Sequence, residues 1–155
     1  MLETLLAGKR GLVVGIANEH SIATGCAAAF HAAGAEVALT YLNDRAKPYV
    51  DPIAARLNAP IYMPLDVEAD GQLEAVFDQI ARQWGGLDFV VHSIAYCPAD
   101  DLHGPVSHCS KAGFAQAMDV SVHSLIRMTR LAVPLMAQGG SILTMSYYGA
   151  EKVVE

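Results

Sequence analysis

No run of about 18 apolar residues occurs in the 155-residue chain, so nothing in it is composed to span a bilayer as a helix. The opening Met1-Leu2-Glu3-Thr4 lacks a basic stretch ahead of an apolar segment, which argues against a secretory signal. Cysteine is scarce: Cys26, Cys97 and Cys109 are odd in number, widely spaced and form no Cys-x-x-Cys pair. That pattern argues against disulfides and zinc and fits a reducing cytoplasm. Cations are few, 10 Lys and Arg against 16 Asp and Glu, and they do not cluster. A net charge of −6 without a basic patch argues against a nucleic-acid partner. The six histidines, among them His31, His103, His108 and His123, show no metal-ligand spacing and read as surface or packing residues. No internal repeat and no low-complexity segment is present, and no metal site is expected.

What the chain has in quantity is apolar residue, 53%, against 17% charged, a balance suited to a sheet buried on both faces. Residues 1–155 read as one domain. Strands are predicted at residues 11–15, 36–41, 61–63, 88–92 and 141–145. Helices are predicted at 21–33, at 49–57 behind Pro48, and at 73–84. In the last, Leu73, Val76, Phe77, Ile80, Ala81 and Trp84 fall on one face and Gly85-Gly86 ends it. After a Pro/Gly/Ser-containing loop over about 95–110, a long helix carries Phe114, Met118, Val122, Leu125 and Met128 and stops near Pro134. Strand–helix alternation of this kind predicts an α/β fold, a Rossmann-like doubly wound parallel sheet with about five strands present. On periodicity alone, another parallel α/β fold such as a flavodoxin-like one stays open.

The first strand runs into Gly15-Ile16-Ala17-Asn18-Glu19-His20-Ser21-Ile22-Ala23-Thr24-Gly25. A strand ending in glycine, a tight loop and a helix start is where backbone N–H groups and the helix dipole bind a pyrophosphate. Ser21 is a good N-cap and has a hydroxyl to offer a phosphate. The middle glycine of G-x-G-x-x-G is missing, so as a bare fingerprint the loop is weak and an ordinary strand–helix turn remains open.

This loop resembles the divergent nucleotide loop of enoyl-acyl-carrier-protein reductases of the bacterial, NADH-dependent type, within the short-chain dehydrogenase/reductase superfamily. Further segments resemble the family in the same order: Ala38-Leu39-Thr40-Tyr41 with Asn43-Asp44, Leu65-Asp66-Val67, Val91-His92-Ser93-Ile94-Ala95-Tyr96, and Leu143-Thr144-Met145-Ser146-Tyr147-Tyr148-Gly149-Ala150-Glu151. The likeness covers essentially the whole chain. It implies a Rossmann domain binding NADH and reducing the trans-2 double bond of an enoyl thioester in fatty-acid elongation. By resemblance, Gly15, Ser21 and Ile22 hold the pyrophosphate. Leu42 lies near the adenosine ribose, where many relatives have Gln. Asp66 and Val67 contact adenine, and Ser93, Ile94 and Ala95 line the nicotinamide. Cys97 falls where the family has a small residue touching the acyl substrate; on its own it reads as a small buried hydrophobe. Asp66 on its own equally reads as a turn residue after a strand.

Tyr148 and Lys152 imitate the Tyr-x-x-x-Lys pair of ordinary short-chain dehydrogenases. Tyr148 follows Ser146 by only two residues, so it is expected in a loop, with Lys152 not one helical turn away. In the family pattern Tyr147 is the catalytic-group residue present, beside the acyl chain. The acid–base tyrosine and its lysine are expected beyond residue 155, and the 155 residues are read as C-terminally truncated and inactive alone. The resemblance further implies acyl carrier protein as partner, a homotetramer through the helix over about 111–136, and a cytoplasmic location. NADH is favoured over NADPH because Leu42-Asn43-Asp44 lacks the Arg that a 2′-phosphate wants, although Arg45 and Lys47 lie near. Two other readings stand beside it: a 3-ketoacyl reductase using Tyr148 and Lys152, and a non-catalytic NAD-binding module.

Overall fold

A computed structural model describes residues 4–153. The elements run β1 (Arg10–Val14), α1 (Ile22–Ala32), β2 (Glu36–Tyr41), α2 (Lys47–Arg56), β3 (Tyr62–Pro64), α3 (Gln72–Trp84) and β4 (Phe89–His92), then α4 (Ala99–Leu102), α5 (Lys111–Met118), α6 (Ser124–Ala132) and β5 (Ser141–Thr144). The five strands form one parallel sheet in the order β3-β2-β1-β4-β5. That order is the Rossmann one and excludes the flavodoxin-like alternative, in which the second strand is the edge.

Alternation along each strand divides the core between the two faces of the sheet. Leu12 and Val14 of β1, Ala38 of β2 and Val90 of β4 pack with Leu73, Val76, Phe77 and Ile80 of α3 and Met128 of α6. Val13, Val37, Leu39 and Val91 pack on the opposite face with Ala23 and Ala27 of α1 and Val50 and Ile53 of α2. The small residues of α1 let that helix lie close to the sheet. At Gly11 a Cβ would stand 1.9 Å from the ring of Phe89, which in turn packs on Phe30 with centroids 4.8 Å apart. Helix α3 ends where expected: Gly85 adopts φ 67°, and its N–H donates to Ala81 O and Ile80 O.

Three local expectations are corrected. Helix α2 begins at Lys47 rather than Tyr49, because Pro48 sits within its first turn, where a missing N–H costs nothing. Strand β3 is Tyr62–Pro64, one residue later than expected, with the donorless Pro64 as its last residue on a strand that, among the described residues, pairs with β2 alone. The predicted long helix is broken by a π turn over Asp119–His123 that separates α5 from α6, followed by a 3-10 turn over Val133–Leu135. The gaps of four, four and three residues between Phe114, Met118, Val122 and Leu125 suit an unbroken α-helix equally well, so the pattern does not report the extra residue.

Ile80 is fully buried under β1 and β4. Ile80→Ala is expected to cost about 2–5 kcal/mol in denaturant unfolding, against less than about 0.5 kcal/mol for Asp78→Ala at an exposed position of the same helix.

Candidate functional site

In this strand order the chain leaves β1 and β4 toward opposite faces, and a crevice opens between their C-terminal ends. Gly15 and Ser93 stand at its floor. Gly15 has φ +93°, and a Cβ there would lie 1.9 Å from Ser93 O, while the Ser93 N–H donates to Val14 O at 3.1 Å. Only glycine meets both demands, left-handed backbone and contact with the next strand. The crevice continues into a cavity of about 420 Å³ lined by Gly15, Ile16, Thr40, Leu42, Ala46, Leu65, Asp66, Val67, Glu68, Ser93, Ile94, Ala95, Tyr96 and Val120, with Ala17 at the rim. Seven of the residues singled out from the sequence therefore surround one space: Gly15, Leu42, Asp66, Val67, Ser93, Ile94 and Ala95.

Ser21 and Ile22 do not line it. They open α1, at the far end of the loop that starts at Gly15. Ser21 holds the N-cap position but does not cap. Its hydroxyl meets Asn18 O at 2.8 Å and Thr24 Oγ1 at 2.8 Å, and Thr24 Oγ1 donates to the same carbonyl at 2.7 Å. The loop is thus tied by its own hydroxyls, and the first amides of α1 carry no side-chain cap.

Asp66 is both a turn residue and a cavity residue. Its Oδ1 accepts the Glu68 N–H at 2.9 Å, and its own N–H donates to Gln72 Oε1 at 2.8 Å. Two side chains from the opposite wall hold this loop: Gln116 Nε2 donates to Glu68 Oε1 at 2.9 Å, and Arg127 Nη2 donates to Val67 O. At the end of β2, Lys47 Nζ sits 2.8 Å from Asp51 Oδ1 and 5.6 Å from the centroids of both Tyr41 and Tyr62. Tyr62 OH donates to the same Asp51 oxygen at 2.9 Å. The bond from Asp51 raises the Lys47 amine above its ordinary value, and the bonds from Lys47 and Tyr62 hold the Asp51 carboxyl below its own. The Lys47 charge is therefore already matched.

A second cavity, of about 910 Å³, shares the wall Ile94, Ala95 and Tyr96 with the first. Cys97, Leu102, Ser121, Val122, Leu125, Thr144, Met145, Ser146 and Tyr147 complete it. Cys97 is partly exposed rather than a core residue. The structure thus brings Cys97 and Tyr147, the two residues expected on the substrate side, into one apolar space adjoining the crevice. Tyr148 lines neither cavity and is 69% exposed. One expectation about it is corrected. The chain does close a turn here, with the Lys152 N–H donating to Tyr148 O at 3.1 Å, because residues 148–150 coil into a 3-10 turn straight after Tyr147. The turn carries Tyr148 away from the cavities all the same.

The residues to which sequence reasoning gave no role are His92 of β4 and polar groups on the helices behind the wall. His92 is fully buried at the end of β4, its Nδ1 3.0 Å from Thr144 Oγ1 and its Nε2 2.8 Å from Ser124 Oγ. Ser124 spends its hydroxyl proton on Val120 O at 2.6 Å, so Nε2–H is the donor to Ser124 and Nδ1 accepts from Thr144. A neutral ring satisfies every partner, and burial lowers the His92 pKa below its ordinary value. A histidine inside an apolar strand and two serines three apart in an apolar helix were the available signals. Each is weak without the fold.

Two outcomes check this geometry. Gly15→Val should lower stability by about 2 kcal/mol or more in denaturant unfolding, since the backbone must move by ångströms to admit the side chain. For His92, the folded state binds its proton less readily than the unfolded state. Stability is therefore full above the unfolded pKa and falls as pH drops from about 7 toward 5, by at most about 1.4 kcal/mol per pH unit. His92→Gln should flatten that slope, as read from unfolding at several pH values.

Comparison with known proteins fits this architecture. A family model described as enoyl-(acyl carrier protein) reductase matches residues 15–155. The chain is 46% identical to the NADH-dependent enoyl-acyl-carrier-protein reductase of Aquifex aeolicus over 151 residues, covering 97% of this chain and 56% of that protein. It is 44% identical to the corresponding enzyme of a Nostoc species over 152 residues, covering 96% and 59%. Among solved structures, the reductase of Anaplasma phagocytophilum in complex with NAD superposes with a TM-score of 0.92 at 45% identity, covering 97% of this chain and 57% of that one. The Bacillus cereus reductase with NADP+ and an indole naphthyridinone superposes equally well, TM-score 0.92 at 39% identity, covering 97% and 59%. The chain spans a little under three fifths of the length of these relatives. With the crevice, the shared wall and matches of this extent in agreement, this chain belongs to the enoyl-acyl-carrier-protein reductase family.

Proposed function

We propose that the protein reduces the trans-2 double bond of an enoyl-acyl-carrier-protein thioester with NADH. The observation that carries this reading is the pair of cavities meeting at Ile94–Tyr96, one at the nucleotide crevice and one lined by Tyr147. The residues fit a dinucleotide: the cradle at Gly15 leaves no room for a Cβ, and an apolar slot beyond it ends at a carboxylate. Reduced nicotinamide, when bound, supplies the hydride.

On this reading the uncapped amides at the start of α1, beyond Ser21 and Ile22, face the pyrophosphate. Leu42 packs beside the adenosine ribose, Asp66 accepts from the adenine amine, and Val67 packs on its ring. Ser93, Ile94 and Ala95 form the floor under the reacting ring. Cys97 and Tyr147 border the acyl chain beside its thioester. NADH is favoured over NADPH because Leu42 offers no cation and Lys47 is matched by Asp51 between two tyrosine rings. The curated relatives from Aquifex and Nostoc are named as NADH enzymes, while the Bacillus cereus structure contains NADP+. Acyl carrier protein is the partner and the cytoplasm the location. Among the described residues no helix is long and apolar enough to cross a membrane. A homotetramer would use the exposed apolar residues Phe114 and Met118 of α5 and Ile126 of α6.

The test is NADH oxidation by the protein as its gene encodes it, with a trans-2-enoyl thioester and with a 3-ketoacyl thioester. Turnover of the first and not the second is expected; the reverse sinks the reading. Tyr147→Ala, which strips one wall of the acyl-side cavity, should lower kcat/KM for the enoyl substrate about tenfold or more. Tyr148→Phe should stay within about twofold of the parent, and a larger loss there would favour the Tyr148 and Lys152 pair. With NADPH in place of NADH, kcat/KM should fall at least about tenfold, as expected where Leu42 presents no cation to the 2′-phosphate and Lys47 is held by Asp51.

A further inference from the structure

We infer that Ser121, at the centre of the π turn, is the positioning residue for the wall that both cavities share. Residues 93–98 follow β4 without regular structure, yet Ile94, Ala95 and Tyr96 face both spaces. The Tyr96 N–H donates to Ser121 Oγ at 3.0 Å, and the Ser121 hydroxyl donates back to Tyr96 O at 3.2 Å. One hydroxyl thus satisfies both backbone groups of one loop residue and sets the direction of the peptide planes on either side of it. At the other end of the segment the Ser93 N–H is held by Val14 O. Ile94 and Ala95 span the gap between these two anchors.

The π turn is what puts the serine there. Its last bond runs from the Ser124 N–H five residues back to Asp119 O, and the Ser124 hydroxyl takes Val120 O while accepting from His92. Ser121 and Ser124 therefore grip the exit of β4 on either side of Ser93–Ala95, at Tyr96 and at His92. Removing the inserted residue would turn Ser121 by about 100° around the helix relative to Ser124 and break one grip. The two grips differ in kind. Ser124 is buried and its loss would disturb the core, whereas Tyr96 is 47% exposed, so water can replace the Ser121 hydroxyl without unfolding. What changes is the shape of the wall.

The inference rests on the proposed reduction for its kinetic readout and has a second readout that does not. In the protein as its gene encodes it, Ser121→Ala should lower kcat/KM for the enoyl thioester about fivefold to tenfold, the scale of a lost hydrogen-bond pair, with most of the loss in kcat. NADH affinity should stay within about twofold and the unfolding midpoint nearly unchanged, and Ser121→Thr, which keeps the hydroxyl, should restore the rate. Amide hydrogen exchange over residues 94–97 should speed up in Ser121→Ala and not in Ser121→Thr. Unchanged exchange in Ser121→Ala overturns the inference, as does a kinetic loss that Ser121→Thr shares or that tracks a fall in stability. A parent protein without enoyl reduction ends the proposed activity instead, and the exchange result alone then decides the role of Ser121.

Discussion

The meeting of β1 and β4 at their C-terminal ends governs the rest of the molecule. The backbone of Gly15 touches the carbonyl of Ser93 so closely that a single methyl group does not fit. Because the two strands are neighbours and their following segments diverge, this contact forms the floor of a crevice rather than a packed seam. Everything assigned to nucleotide recognition is arranged outward from that point, along the loop to α1 on one side and across β2 to Asp66 on the other.

Rigidity around the crevice comes from hydrogen-bonded polar groups as well as from apolar packing. His92 links β4 to β5 through Thr144 and to the helix behind through Ser124. Arg127 and Gln116 from α6 and α5 hold the loop after β3. The same helical segment therefore supports the loop after β3, the floor of the crevice and the wall between the two cavities. A buried network of this kind stiffens its surroundings only while each member keeps its partner. Here the assignment of protons is unambiguous, since the Ser124 hydroxyl is committed to Val120 O.

Legibility in the sequence followed the length scale of the signal. The α3 stripe from Leu73 to Trp84 and the apolar runs of β1, β2 and β4 reflect burial on a scale of many residues, and those elements fall within a residue or two of their expected places. Ser21 was misjudged in detail because a hydroxyl at a helix start has several acceptors within reach, and Asn18 O won over the helix amides. The π turn was invisible because the gaps of four and three residues between Phe114, Met118, Val122 and Leu125 suit an unbroken helix as well. The 3-10 turn at Tyr148 was missed for a related reason: a short coil needs no pattern beyond its own backbone bonds. Among the candidate site residues, those on strand ends and the loops directly after them came together, since topology alone carries them to one rim. Ser121, Ser124 and Arg127 lie on helices whose facing could not be known until the register was broken.

The two borders of the sheet are unequal. On one side β3 is only three residues long and ends in Pro64, which has no amide proton to give. On the other, β5 presents Ser141–Thr144 with pairing to β4 alone among the described residues. Anything that lengthens this sheet, whether more of the same polypeptide or a strand strayed from a neighbouring molecule, is steered to the β5 border. Self-association through backbone pairing is in this way lopsided, and a charged or proline substitution on β5 would be the place to suppress it.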